Sequence, residues 1–265
     1  LQTEEVSSAA IASWLRVPRP LNQPRIRLIC LPHAGGGASV YYPWIDRLAA
    51  ARIELRAVQY PGREDRIKET PIASCLTMAD ALADAWPRAT DGIPCAIFGH
   101  SMGAIIGFEL ISELTDRGAP NLPCRLFVSG RNPPHHPPKL APIHELPDAE
   151  FIERLVTEHG GSLPSAVISD REMLGLITPI LRVDFTLSET HVLRPKPPVR
   201  VPISVFGGVD DPTTSANALA EWERYSKQSC RLRMIAGGHF FHQSARDEVL
   251  AGLIADLEFS ARPTA

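Results

Sequence analysis

Apolar runs of strand length recur along this chain between turn residues, at positions 26–31, 53–58, 95–98, 125–128, 201–206 and 231–235. Between them, apolar residues repeat at helical spacing over 42–50, 76–86, 104–114, 216–226 and 245–257. A chain that alternates these two periods buries its strands on both faces. The expectation is therefore an α/β fold, with a mostly parallel central sheet and helices on both faces. With 265 residues, of which 44% are hydrophobic, the chain can close one full core, so residues 1–265 read as a single domain.

The alternation is interrupted over about 131–198. A proline-rich stretch at 132–142 is followed by two helix-like pieces, 148–159 and 171–187, and the segment closes on prolines at 194–198. Proline lacks the donor a strand needs and holds its neighbour extended, so this segment cannot join the sheet. It reads as a helical lid insertion above the sheet's C-terminal edge.

Gly99-His100-Ser101-Met102-Gly103 matches G-x-S-x-G, with an apolar strand before it and a helical pattern after it. A sharp strand-to-helix turn exposes a serine hydroxyl, and flanking glycines remove side chains that would strike the opposing backbone. Ser101 is the expected nucleophile on an α/β-hydrolase fold. That fold supplies its acid and then its base late in the chain, each on a loop after a strand. His239, in Gly237-Gly238-His239-Phe240, is the expected base, and His242 is read as a capping or surface residue. Asp211, before Pro212, is the expected acid, with Asp210 as the alternative. The oxyanion hole is assigned to the backbone N–H of Met102 and of Ala34, with Gly35 as the rival for the second place.

Bulk properties exclude several classes. A net charge of −3 without a long Lys/Arg run argues against nucleic acid and against a membrane surface as partners. Five cysteines scattered without CxxC spacing read as reduced thiols in a cytoplasm, and the apolar patch near the N-terminus is too short for a signal segment. No metal is expected: adjacent histidines in an extended stretch, here His135 and His136, would point in opposite directions, and no HExxH accompanies them. Phe151, Leu155, Met173, Leu176 and Phe185 are candidates to line an apolar chamber, though no substrate-binding residue is assigned. Arg63 and Arg131 are read as members of structural ion pairs.

Several stretches together resemble the type II thioesterases that accompany polyketide synthases and nonribosomal peptide synthetases. They are Leu31-Pro32-His33-Ala34-Gly35-Gly36-Gly37, Gln59-Tyr60-Pro61-Gly62-Arg63-Glu64, Gly99 to Ala104, Ser129-Gly130-Arg131, Leu181-Arg182 with Asp184-Phe185, Gly207-Gly208 with Asp211-Pro212, and Gly237 to Phe240. The resemblance implies an editing thioesterase, and the chain is expected to act as a monomer. It would clear acyl groups from the phosphopantetheine arm of acyl or peptidyl carrier protein domains, with Ser101, Asp211 and His239 as triad and no cofactor of its own. Two other functions share the pattern: a small-molecule esterase or acyltransferase with the same triad, and a non-catalytic synthase-binding protein.

Overall fold

The protein is described by a computed structural model covering residues 14–90, 92–159, 163 and 165–260, so the expectation for the first thirteen residues falls outside the described ones. Among the described residues there are seven strands: β1 (Leu15–Arg16), β2 (Ile26–Leu31), β3 (Ile53–Val58), β4 (Cys95–His100), β5 (Leu126–Ser129), β6 (Ile203–Gly208) and β7 (Cys230–Ile235). They form one sheet in the order β1-β3-β2-β4-β5-β6-β7. All neighbours pair in parallel except β1, which runs antiparallel to β3 through Leu15↔Val58 and Arg16↔Ala57. No periodic signal marks β1, because a two-residue strand is too short to show one.

Alternation along each strand feeds two apolar layers. Ile29 and Leu31 of β2 join Ile97 of β4 and Val128 of β5 on one face. There they meet α2 (Cys75–Thr90) and α3 (Met102–Asp116) through Met78, Leu82, Trp86, Ile105 and Phe108. Leu28, Cys30 and Phe98 face the other way, against Tyr41, Trp44 and Leu48 near α1 (Ile45–Ala50) and against Val249, Leu253 and Leu257 of the C-terminal helix Arg246–Ser260. Each such side chain, removed from water, stabilises by about 1.5–3 kcal/mol. The helix expected at 42–50 starts as a 3₁₀ turn over Ala38–Trp44, which contains Pro43, and becomes α-helical only at Ile45.

β2 sends the chain outward to β3, and β4 then returns on the opposite side of β2. The loops leaving β2 and β4 therefore diverge, opening a crevice at the carboxyl ends of those strands, where ligands of open α/β sheets bind. The segment between β5 and β6 carries α4 (Asp148–Thr157), α5 (Ser165–Ile168) and α6 (Arg171–Glu189). Phe151 and Leu155 pack with Ile143 and Leu181 in a small core of their own. Among the described residues, no helix is long and apolar enough to cross a membrane.

Candidate active site

Ser101 stands between β4 and α3 with φ 52° and ψ −112°, a conformation L-residues avoid. Its own N–H donates to Ser129 O at 2.8 Å, which anchors the turn to β5. The flanking glycines are required sterically: a Cβ on Gly99 would lie 2.2 Å from Gly103 O, and one on Gly103 would lie 2.1 Å from Leu31 O. Met102 opens α3, and N–H groups of a helix's first turn have no acceptor within the helix.

Asp211 and His239 reach each other because the loops after β6 and β7 are tied together, Asp210 N–H donating to Gly237 O at 3.0 Å. His239 Nδ1 lies 2.8 Å from Asp211 Oδ2. The other carboxylate oxygen, Oδ1, accepts from Thr213 N at 2.8 Å and from Thr213 Oγ1 at 2.7 Å. Burial pushes the Asp211 carboxyl upward, but the hydrogen bond and charge of His239 and the two Thr213 donors outweigh it, and the group sits below its ordinary value. Asp210 is exposed, so of the two carboxylates left open by spacing it is Asp211 that faces the ring. Thr213 went unnoticed in the sequence, although an Asp whose side chain caps the residue two positions on is a readable turn signal.

Ser101 and His239 line one cavity of about 510 Å³, with Ala34 on its wall. No hydrogen bond joins Ser101 Oγ to the ring; Asp211 engages Nδ1, which leaves Nε2 as the nitrogen available to a hydroxyl proton. Such contacts commonly tighten only once substrate is bound.

The loop after β2 is held by a residue far away in sequence. Gly35, at φ +78°, donates its N–H to Asp184 Oδ2 of α6 at 2.7 Å. Asp184 is in turn gripped by Arg63, with Nη1–Oδ2 at 2.6 Å and Nη2–Oδ1 at 2.7 Å, both side chains being buried. The Gly35 donor is thus engaged within the protein, while Ala34 lines the cavity. The ion pair expected for Arg63 is present, whereas Arg131 instead donates to Ser188 Oγ and O, at 2.7 and 3.1 Å. Removing one member of a buried pair strands the other charge. Asp184→Ala is accordingly expected to destabilise by about 3–5 kcal/mol in denaturant unfolding; a loss below about 1 kcal/mol, the range of exposed pairs, would show that water screens the contact.

Two readings of the histidines are corrected. His242 is neither cap nor surface residue but lies buried in the short helix Phe241–Ser244, its ring 3.8 Å from that of His100. Burial pushes both rings well below the ordinary imidazole range, and burial with the neighbouring His239 charge holds His33 down to about 3. His135 and His136 do not diverge. A turn closed by His136 N–H to Pro133 O at 3.0 Å brings both rings to one side, where both meet Glu221 and the ligand atoms come within 4.8 Å of one another, contrary to the reasoning behind the no-metal expectation. Of the apolar candidates, Phe185 lines the cavity, Phe151 and Leu155 are core, and Met173 and Leu176 are exposed.

The chain matches the thioesterase domain family over residues 26–257. It is 34% identical over 239 residues to the gramicidin S biosynthesis protein GrsT of Aneurinibacillus migulanus, covering 90% of this chain and 91% of that one. It is 36% identical over 235 residues to the thioesterase PikA5 of Streptomyces venezuelae, covering 86% and 79%. Among solved structures, the type II thioesterase BorB from the borrelidin biosynthetic cluster superposes with a TM-score of 0.80 at 36% identity, covering 92% of this chain and 97% of that one. A strained serine between strand and helix, an Asp–His pair beside the same cavity and this likeness along nearly the whole length agree: the chain belongs to the thioesterase family of serine hydrolases with the α/β-hydrolase fold.

Proposed function

We propose that the protein is a type II editing thioesterase of the stand-alone kind, which hydrolyses acyl groups from the phosphopantetheine arm of carrier protein domains in a polyketide or nonribosomal peptide synthase. The observation that carries this reading is the shared cavity. Ser101 and His239 line it, while Gly130–Leu140 and residues between Phe185 and Leu193 supply most of its wall. In this reading the insert between β5 and β6 is a lid, admitting a long thin arm and limiting the acyl group beside Ser101. His239 Nε2 takes the hydroxyl proton as Oγ attacks the thioester carbonyl, and Asp211 holds the ring's tautomer and stabilises the imidazolium. Met102 and Ala34 N–H groups receive the developing oxyanion. The thiol leaves with the proton, and water, activated by the same imidazole, releases the acid. No cofactor takes part beyond the arm that arrives with the substrate.

Acyl-loaded carrier protein compared with an oxygen ester of the same acyl group tests the reading, with intact mass as readout. A large advantage in kcat/KM is expected for the carrier thioester; equal values would favour a small-molecule esterase. The pH profile is specific as well. Only neutral His239 accepts a proton, so kcat/KM should rise with pH. His33, His100 and His242 are held neutral by burial, so none of these three adds an ionisation to the acid limb of the log–log plot, whose slope should be about one. A slope approaching two would implicate a second histidine. Asp211, with its depressed pKa, stays charged over this limb, and the stability it contributes is lost only as pH falls from the ordinary Asp value through the lower folded one.

A further inference from the structure

The Pro133-Pro134-His135-His136-Pro137-Pro138 segment is stiffened by proline on both sides, which leaves its two imidazoles little backbone freedom to lose on binding. Their ring centroids are 4.5 Å apart. His135 Nε2 lies 3.0 Å from Glu221 Oε2, and His136 Nε2 lies 3.1 Å from Glu221 Oε1. Glu221 opens the 3₁₀ turn that follows Ala216–Ala220. We propose that His135, His136 and Glu221 form a site for a divalent transition-metal ion of the zinc class, at the rim of the cavity that holds Ser101.

The ligand atoms of the three side chains already converge, all lying within 4.8 Å of one another. Arg224 Nη1 lies 3.2 Å from His135 Nε2 and 2.9 Å from Glu221 Oε2, so an exposed positive charge already sits against two of them. His135 Nδ1 lies 2.8 Å from Tyr225 Oη; with the ring proton on Nδ1 and given to that hydroxyl, Nε2 is the nitrogen free to bind a metal. A metal ion would be held by His135 Nε2, His136 Nε2 and Glu221 together. Ligands held by one zinc at about 2.0–2.2 Å and tetrahedral angles lie about 3.3 Å apart, close to the 3.0 and 3.1 Å at which the two imidazoles already meet the carboxylate. Two imidazoles and a carboxylate suit zinc rather than magnesium or calcium, which prefer all-oxygen sets. The Tyr225 hydroxyl is the outer partner that metal-binding imidazoles typically have.

His135 and His136 line the cavity, whereas Glu221 belongs to the body of the fold, so the ion would fasten the cavity's wall to the sheet domain. Binding does not depend on the thioesterase reading. Isothermal titration of the tag-free, chelator-stripped full chain with zinc chloride tests it, with magnesium chloride as control. The expected result is one zinc per chain and no heat from magnesium. His135→Ala, His136→Ala and Glu221→Ala should each weaken binding by at least about tenfold, Tyr225→Phe should weaken it by about tenfold, and Arg224→Ala should tighten it by removing the resident cation. All five positions are at least partly exposed, and metal-free thermal unfolding verifies that each variant folds. Failure of the wild-type chain to take up zinc, or unchanged affinity in the three ligand variants, would overturn the site.

Discussion

Ser101→Ala is expected to lose about 10⁶-fold in kcat, the scale on which removal of a serine nucleophile acts. Its fold should survive, because Ser129 O accepts from the residue-101 backbone and no side-chain bond is involved. The variant keeps the strain, since alanine at φ 52° and ψ −112° is no better accommodated than serine. Backbone strain of this kind costs about 1–3 kcal/mol. Glycine relieves it while giving back part of the gain in unfolded-state entropy, so Ser101→Gly should be equally inactive yet more stable by about 1 kcal/mol. That corresponds to a melting point about 2–4 °C higher for a chain of this size. Acyl-carrier hydrolysis and thermal unfolding on the same preparations check both halves. Residual activity within about tenfold of wild type would remove Ser101 from the reaction.

Asp211→Asn is expected to lower kcat by about 10⁴-fold with the fold intact. The amide oxygen can keep both Thr213 donors, but the amide nitrogen would then present N–H to His239 Nδ1, where the carboxylate accepts now. The ring must answer with its Nδ1 lone pair, which shifts its proton to Nε2 and leaves nothing to take the serine proton. Asp210→Asn, altering an exposed side chain one position away, should change kcat by less than about twofold, well inside the surface range. Burst measurements on an acyl thioester would separate slow acylation from slow release in the Asn variant. An Asp210→Asn loss as large as that of Asp211→Asn would mean that the loop's charge matters rather than the bond to the ring.

Strands β2 and β3 occur where the apolar runs put them, at Ile26–Leu31 and Ile53–Val58. The serine elbow follows from two glycines and a strand-to-helix switch within a few residues of each other. The pair Asp211 and His239 was legible because each stands on a loop just past a strand end, and parallel strands deliver such loops to one edge. Helix ends were less legible: the expected 216–226 helix tightens after Ala220 into a 3₁₀ turn, which Glu221 opens.

Local periodicity and turn chemistry thus suffice for the strands, the elbow and the order of the reacting residues, since each depends on neighbours within a few positions. The Arg63–Asp184–Gly35 clamp, the burial of His242 against His100 and the convergence of His135 and His136 on Glu221 join residues far apart along the chain. Whether an imidazole is neutral, or a peptide N–H is spoken for, depends on what packs against it, and packing between distant segments exists only once the sheet has closed.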